Sequence, residues 1–314
     1  MPRSAFSLVV LATLVLFAFF GAVILQPEWF AGLLGQAAAG HVIGHFREPH
    51  HRMHDLTFAF LLGTAAIGII AQVRAPAKNG AGQLMALVPF ASLVLVTLLT
   101  TTQVLQLPWV AVGAATLLAA TLHPSGRDLF GSFAASRVDR AMLALVGLAA
   151  VPLLAFAFTN IGLERSAGDD HAALGHYGFL AAFSLTVIGT GLLASARTEG
   201  WRLTARVTGL LTVLFGLASL AFPDVASSLD LVWAMAAVAW GVLFIAAAEV
   251  RRTTSVQKAV PRRGYSSTSP RAVITALLLI VLVALFAFMH LTGGGGPGLH
   301  APPTGGQWLP ARSL

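Results

Sequence analysis

Long apolar runs broken by short polar stretches set the pattern of this chain. A bilayer hydrocarbon core of about 30 Å needs ~20 consecutive apolar residues per helix. Nine segments meet that demand: 5–25, 56–73, 84–103, 107–122, 141–160, 173–195, 205–222, 229–249 and 272–291. None carries a charge near its centre. Strict alternation of apolar and polar residues is missing, so the pattern predicts helices and not a transmembrane β-barrel. The run at 5–25 is too long for a secretory h-region and no A-x-A site follows it, so it reads as a retained helix.

Charge gives the predicted helices a direction. The chain has 19 Lys+Arg and 12 Asp+Glu, a formal net charge of +7. With residue 1 inside and nine spans threaded, 15 of the 19 basic residues fall on the inner side. Arg47, Arg52, Arg165 and Arg312 are the exceptions. Every inner loop is basic, as the positive-inside rule requires. Glu28, Glu48, Asp55, Glu164, Asp169, Asp170, Asp224 and Asp230 fall outside. The predicted fold is therefore an all-α, polytopic membrane bundle of nine helices, N-inside and C-outside, located in the cell membrane.

The order of elements divides the chain further. Residues 1–250 form an eight-helix core of two sets of four, 1–125 and 138–250. Each set has a helix, a long outer loop rich in His and acids, a second helix, a basic inner loop and a hairpin with an outer proline (Pro108, Pro223). An even number of spans would relate the two sets as a parallel repeat, about an axis along the membrane normal. His54 then corresponds to His176, and the two are expected to lie close together. Residues 251–271 form a basic, Ser/Thr-rich and proline-broken cytoplasmic linker suited to anionic lipid headgroups. A ninth helix at 272–291 follows. The Gly/Pro-rich stretch 292–314 reads as a flexible outer tail.

Composition removes whole classes of function. Apolar residues make up 57% of the chain and charged residues 10%, against about 25% charged in an ordinary soluble domain. A typical soluble enzyme, a nucleic-acid binder, a coiled coil and a disordered chain are all excluded. There is no cysteine, hence no disulfide, thiolate metal site, iron–sulfur cluster or cysteine nucleophile. Walker, G-x-S-x-G and HExxH motifs are absent. With no ionisable residue mid-span, a proton-coupled pump is disfavoured.

The histidines carry the candidate chemistry. Nine of the 10 fall on the predicted outer face, and the segment 40–55, GHVIGHFREPHHRMHD, holds five of them. Residues 28–46 read as an interfacial helix on which His41 and His45 share a face. Pro49 ends it. His50, His51 and His54 follow, with Asp55 beside them. The spacing invites comparison with the histidine boxes of membrane desaturases, but the second box is reversed and no third exists. Asp169, Asp170, His171 and His176, with Glu164, make a second outer cluster at the matching place in the second set. His290 ends the ninth span.

Imidazole with carboxylate suits a borderline transition metal such as Cu, Zn or Fe, or the iron of a haem. The predicted ligand set is His50, His51, His54, His171, His176 and His290, with Asp55 and Asp170 as ligands or as acids behind them. Met53 and Met289 are further thioether candidates for copper. His123 reads as a turn residue on the inner side. The function expected is a transition-metal or haem site at the extracytoplasmic face. A small-solute transporter, or an assembly subunit that joins a membrane-protein partner or a second copy of itself, are the alternatives. Ser92, Thr97, Thr186, Thr190 and Thr212 are expected to serve helix–helix hydrogen bonds.

Overall fold

The structure, a computed structural model, describes residues 3–25, 52–100, 107–126, 129, 138–225 and 227–257. These are mostly helical, joined by short turns, with no strand among them. The helices are α1 (Arg3–Leu25), α2 (Arg52–Ile70), α3 (Gly80–Thr100), α4 (Leu107–Thr121), α5 (Arg140–Ser166), the single turn α6 (Asp170–Ala173), α7 (His176–Ser195), α8 (Trp201–Ala221) and α9 (Leu231–Gln257). Six of them are long and apolar enough to cross a membrane: α2, α3, α5, α7, α8 and α9. Ser4–Phe20 in α1 and Trp109–Thr121 in α4 are shorter apolar stretches. The predicted interfacial helix at 28–46 and the predicted span at 272–291 lie outside the described residues.

Burial explains how the helices assemble. α7 is the most enclosed, with 78% of its apolar window inside the protein, whereas α5 has 28% inside. α7 packs on α2, α3, α5 and α8, while α1 with α4 flanks this centre on one side and α9, packed on α8, on another. Leu8, Leu98, Phe158 and Leu231 point outward on the flanks, each more than 60% exposed. In water that exposure would be costly; in lipid it is the expected outer coat. The helices therefore describe a multi-pass membrane protein.

Successive helices alternate in direction, so the bundle has two ends. One end carries Arg74, Lys78, Arg140, Arg197, Arg202 and Arg206, with Asp139, Glu199 and Glu249 among them; the other carries Asp55, Glu164, Asp169, Asp224 and Asp230, with Arg165. Hydroxyls inside the bundle mostly bond their own helix. Thr97 donates to the Leu93 carbonyl at 2.8 Å, Thr190 to that of Thr186 at 2.7 Å and Thr212 to that of Thr208 at 3.0 Å. Interhelical bonds were expected from these residues. The nearest acceptor is the carbonyl one turn back, and it takes the hydroxyl first.

A polar knot closes the basic end. Gln72 Nε2 donates to the carbonyls of Gly68 at 2.9 Å and Asn79 at 3.1 Å, and Asn79 Nδ2 returns to those of Ala71 at 2.9 Å and Ala75 at 3.0 Å. Gln72 thus takes the Gly68 carbonyl in the last turn of α2, the backbone N–H groups of residues 71–73 take those of Ile67, Ile69 and Ile70, and Asn79 ties down the turn that follows. His123 completes the knot. The Ser125 N–H donates to its Nδ1 at 3.2 Å, so Nε2 carries the proton toward Gln72 Oε1 at 3.3 Å. Its ring sits edge-on to Phe6, with centroids 5.4 Å apart.

Burial holds the His123 pKa below the ordinary value of 6.5, and a hydrogen bond to the Pro76 backbone opposes this more weakly. A base whose pKa is lowered on folding supports the fold fully above its unfolded pKa, and that support is lost as the pH falls below it. Melting temperature in detergent should therefore fall between pH 7 and pH 5, and fall less in His123→Gln. Parallel wild-type and variant curves would show that His123 does not titrate against the fold.

Candidate metal centre

Three separate elements bring three histidines together at the acidic end. His54 lies in the first turn of α2, His171 on the single turn α6, and His176 is the first residue of α7. His54 is 1% and His176 5% exposed, and the His171 side chain 14%. The rings of His54 and His176 stack at 4.9 Å with 21° between their planes. His171 tilts against His54 at 4.8 Å and meets His176 edge-on at 5.7 Å. One ring nitrogen from each lies within 4.8 Å of the other two. Among the described residues no other group of three metal-ligating side chains converges in this way.

Local sequence explains why His171 and His176 turn back on one another. α5 ends at Ser166, and Gly175 separates α6 from α7 at φ 77°. That left-handed conformation suits glycine, which has no Cβ to clash. It lets the chain turn in the two residues between α6 and α7 and start α7 beside His171. With glycine in the capping position, α7 has no side-chain cap of its own. Glu164 supplies one from α5: its Oε2 accepts the Gly178 N–H at 2.9 Å. Glu164 is 3% exposed, and a buried carboxylate at a helix N-terminus is favoured by the peptide dipole.

Asp169 acts behind the histidines. Its Oδ1 accepts the Ala172 N–H at 3.0 Å, which caps α6. Its Oδ2 accepts the Tyr177 hydroxyl at 2.8 Å and lies 4.0 Å from His171 Nδ1. The Tyr177 ring reaches back over the site, 5.9 Å from His54 and 5.8 Å from His171. Toward the membrane centre the floor is aromatic. Phe58 and Phe179 meet at 5.4 Å, Trp109 packs on Phe58 at 4.8 Å, and Phe179 lies 6.4 Å from His176. Such a floor excludes water from beneath the imidazoles.

No family model matches the chain, and no curated protein or solved structure matches it.

Of the predicted ligands, His54, His171 and His176 are brought together. His54 lies within the helix that forms the second span, whereas the sequence placed it on the approach to that span. Asp55 is on the same turn of α2 but is not one of the converging group. Asp170 opens α6. His50, His51, His290 and Met289 lie outside the described residues. Met53 is fully buried in the apolar core. Sequence reasoning assigned no role to Tyr177. The signal was its position, since one of only two tyrosines in the chain directly follows a candidate ligand.

Proposed function

We propose that this multi-pass membrane protein binds one transition-metal ion through His54, His171 and His176, at the extracytoplasmic face. The observation that carries this reading is the convergence of three imidazoles from three elements on one spot of an otherwise apolar bundle. Placement at the outer face follows from the charges, since basic residues gather at the opposite end and basic loops stay in the cytoplasm.

An ion fits this arrangement better than haem does. Axial imidazoles point at each other across the porphyrin plane. His54 and His176 instead lie face to face, 4.9 Å apart, with no room for a macrocycle between them. Tetrahedral ligands at about 2.0–2.1 Å from the metal place their nitrogens roughly 3.3 Å apart. Modest ring rotations from the present separations would reach that spacing. Asp169 on the Nδ1 side of His171 would leave Nε2 for the ion, in the carboxylate–histidine–metal arrangement that orients the ring and raises its basicity. Three nitrogen ligands leave a fourth position, open to water or to a histidine of the 40–51 segment. Nitrogen ligands without thiolate suit Cu²⁺ and Zn²⁺, with Cu²⁺ the tighter of the two.

Purified protein in detergent, stripped with chelator and titrated calorimetrically with Cu²⁺ and with Zn²⁺ at pH 7.5, should take up one tight equivalent per chain, Cu²⁺ more tightly. Weaker equivalents taken up by the histidine-rich loop would follow the tight one. Uptake of neither ion would leave the cluster a structural contact between helices.

A further inference from the structure

A second site lies at the opposite, basic end of the bundle. A groove of about 540 Å³ opens between α1 and the connection from α2 to α3. One wall is apolar and comes from α1, with Phe6, Val10, Leu11 and Leu14. These four recur at helical spacing on one face, and they extend about 12 Å along the helix at 1.5 Å per residue. Leu11 is 61% exposed. The other wall is the polar connection, and it brings Arg74 and Lys78. Both are exposed, and among the described residues neither is in an ion pair with a carboxylate. The turn Pro76–Lys78 holds them on one short segment. The Gln72–Asn79 hydrogen bonds anchor that segment to the end of α2.

Two cations at the mouth of a groove whose apolar wall runs toward the membrane interior match the shape and charge of one kind of molecule. We propose that the groove holds an anionic phospholipid, its phosphate on Arg74 and Lys78 and one acyl chain along Val10, Leu11 and Leu14. A free phosphate would use the cations and leave the apolar wall exposed. A zwitterionic lipid would cover the wall but bring no net charge to the two cations. Each basic residue near a membrane surface strengthens attraction to anionic lipid, so removal of both cations should weaken retention of the lipid about 10- to 30-fold.

The test is native mass spectrometry of the full chain, released from nanodiscs of equal phosphatidylglycerol and phosphatidylcholine. Wild-type protein should retain one phosphatidylglycerol. Arg74→Gln with Lys78→Gln should lose it, and so should Leu11→Trp, which fills the apolar wall and leaves both cations in place. Arg140→Gln with Arg197→Gln removes two charges from the same end outside the groove and should retain the lipid. Unchanged helix content by circular dichroism confirms that each variant is folded. Equal retention of the two lipids, retention in the Arg74/Lys78 variant, or displacement by millimolar inorganic phosphate would each overturn the proposal. So would a wild-type chain that carries no lipid at all.

Discussion

Replacing His54, His171 and His176 together by alanine should remove the tight metal equivalent altogether, and His54→Ala alone should weaken it by about 100-fold or more. Loss of an outer-shell partner already lowers metal affinity about 10–100-fold, and loss of a direct ligand removes a bond to the ion itself. Asp169→Asn belongs to the first class, because it keeps the cap on α6 but takes the negative charge from beside His171 Nδ1. The expected order of affinity is therefore wild type, Asp169→Asn, His54→Ala, triple variant. His54 is buried, so truncation to alanine also leaves a cavity; His54→Gln retains more of the volume and separates loss of a ligand from loss of packing. Equilibrium dialysis with Zn²⁺ reads the affinities, and far-ultraviolet circular dichroism confirms that the helices persist. A triple variant that still holds the wild-type tight equivalent would move the site to the loop histidines His50 and His51.

The helices were legible because the selecting force is simple. Lipid demands long apolar runs, and each of the first eight predicted runs corresponds to an observed helix. The edges were less legible, because local contacts set them. α5 was predicted to end near residue 160 and continues to Ser166; the polar residues of its last turns find partners, Glu164 on the Gly178 amide. α8 begins at Trp201, four residues before its predicted start. There the guanidinium groups of Arg197 and Arg202 each sit 5.2 Å from the Trp201 ring, so charged residues are accommodated at the interface by cation–π contact.

The candidate site was legible as a list and not as a shape. Eight residues entered it on residue type and predicted side of the membrane; among the described residues His54, His171 and His176 converge, while His50, His51 and His290 lie outside the described residues. Asp169 and Asp170 show what sequence could not decide. Adjacent acids look alike in sequence; Asp169 is the one whose carboxylate is fixed by the Ala172 N–H and the Tyr177 hydroxyl, beside His171. Register at a helix start is a matter of one residue, and composition does not encode it.

Gly209→Val should be strongly destabilising, with a loss of about 3 kcal/mol or more. α8 and α9 cross so closely that a Cβ on Gly209 would lie 2.6 Å from the Gly241 carbonyl oxygen and 2.6 Å from Ile245 Cγ1. One heptad on, a Cβ on Gly216 would meet the Ala234 carbonyl oxygen at 2.6 Å. Glycine on one helix thus meets a small residue on the other at two levels. In lipid this is how helices associate, because apolar side chains gain little by leaving one apolar medium for another and close backbone packing supplies the attraction. The obstruction on Gly209 includes backbone, which cannot swing aside as a flexible side chain does. Gly147 and Gly162 of α5 provide the control, since a Cβ on either meets nothing within 4 Å. Alanine there should leave stability unchanged or raise it by up to ~1 kcal/mol through the better helix propensity. Thermal unfolding in detergent should place Gly209→Val well below wild type and Gly147→Ala at or above it. If the two variants melt together, close approach of α8 and α9 is not what holds that hairpin.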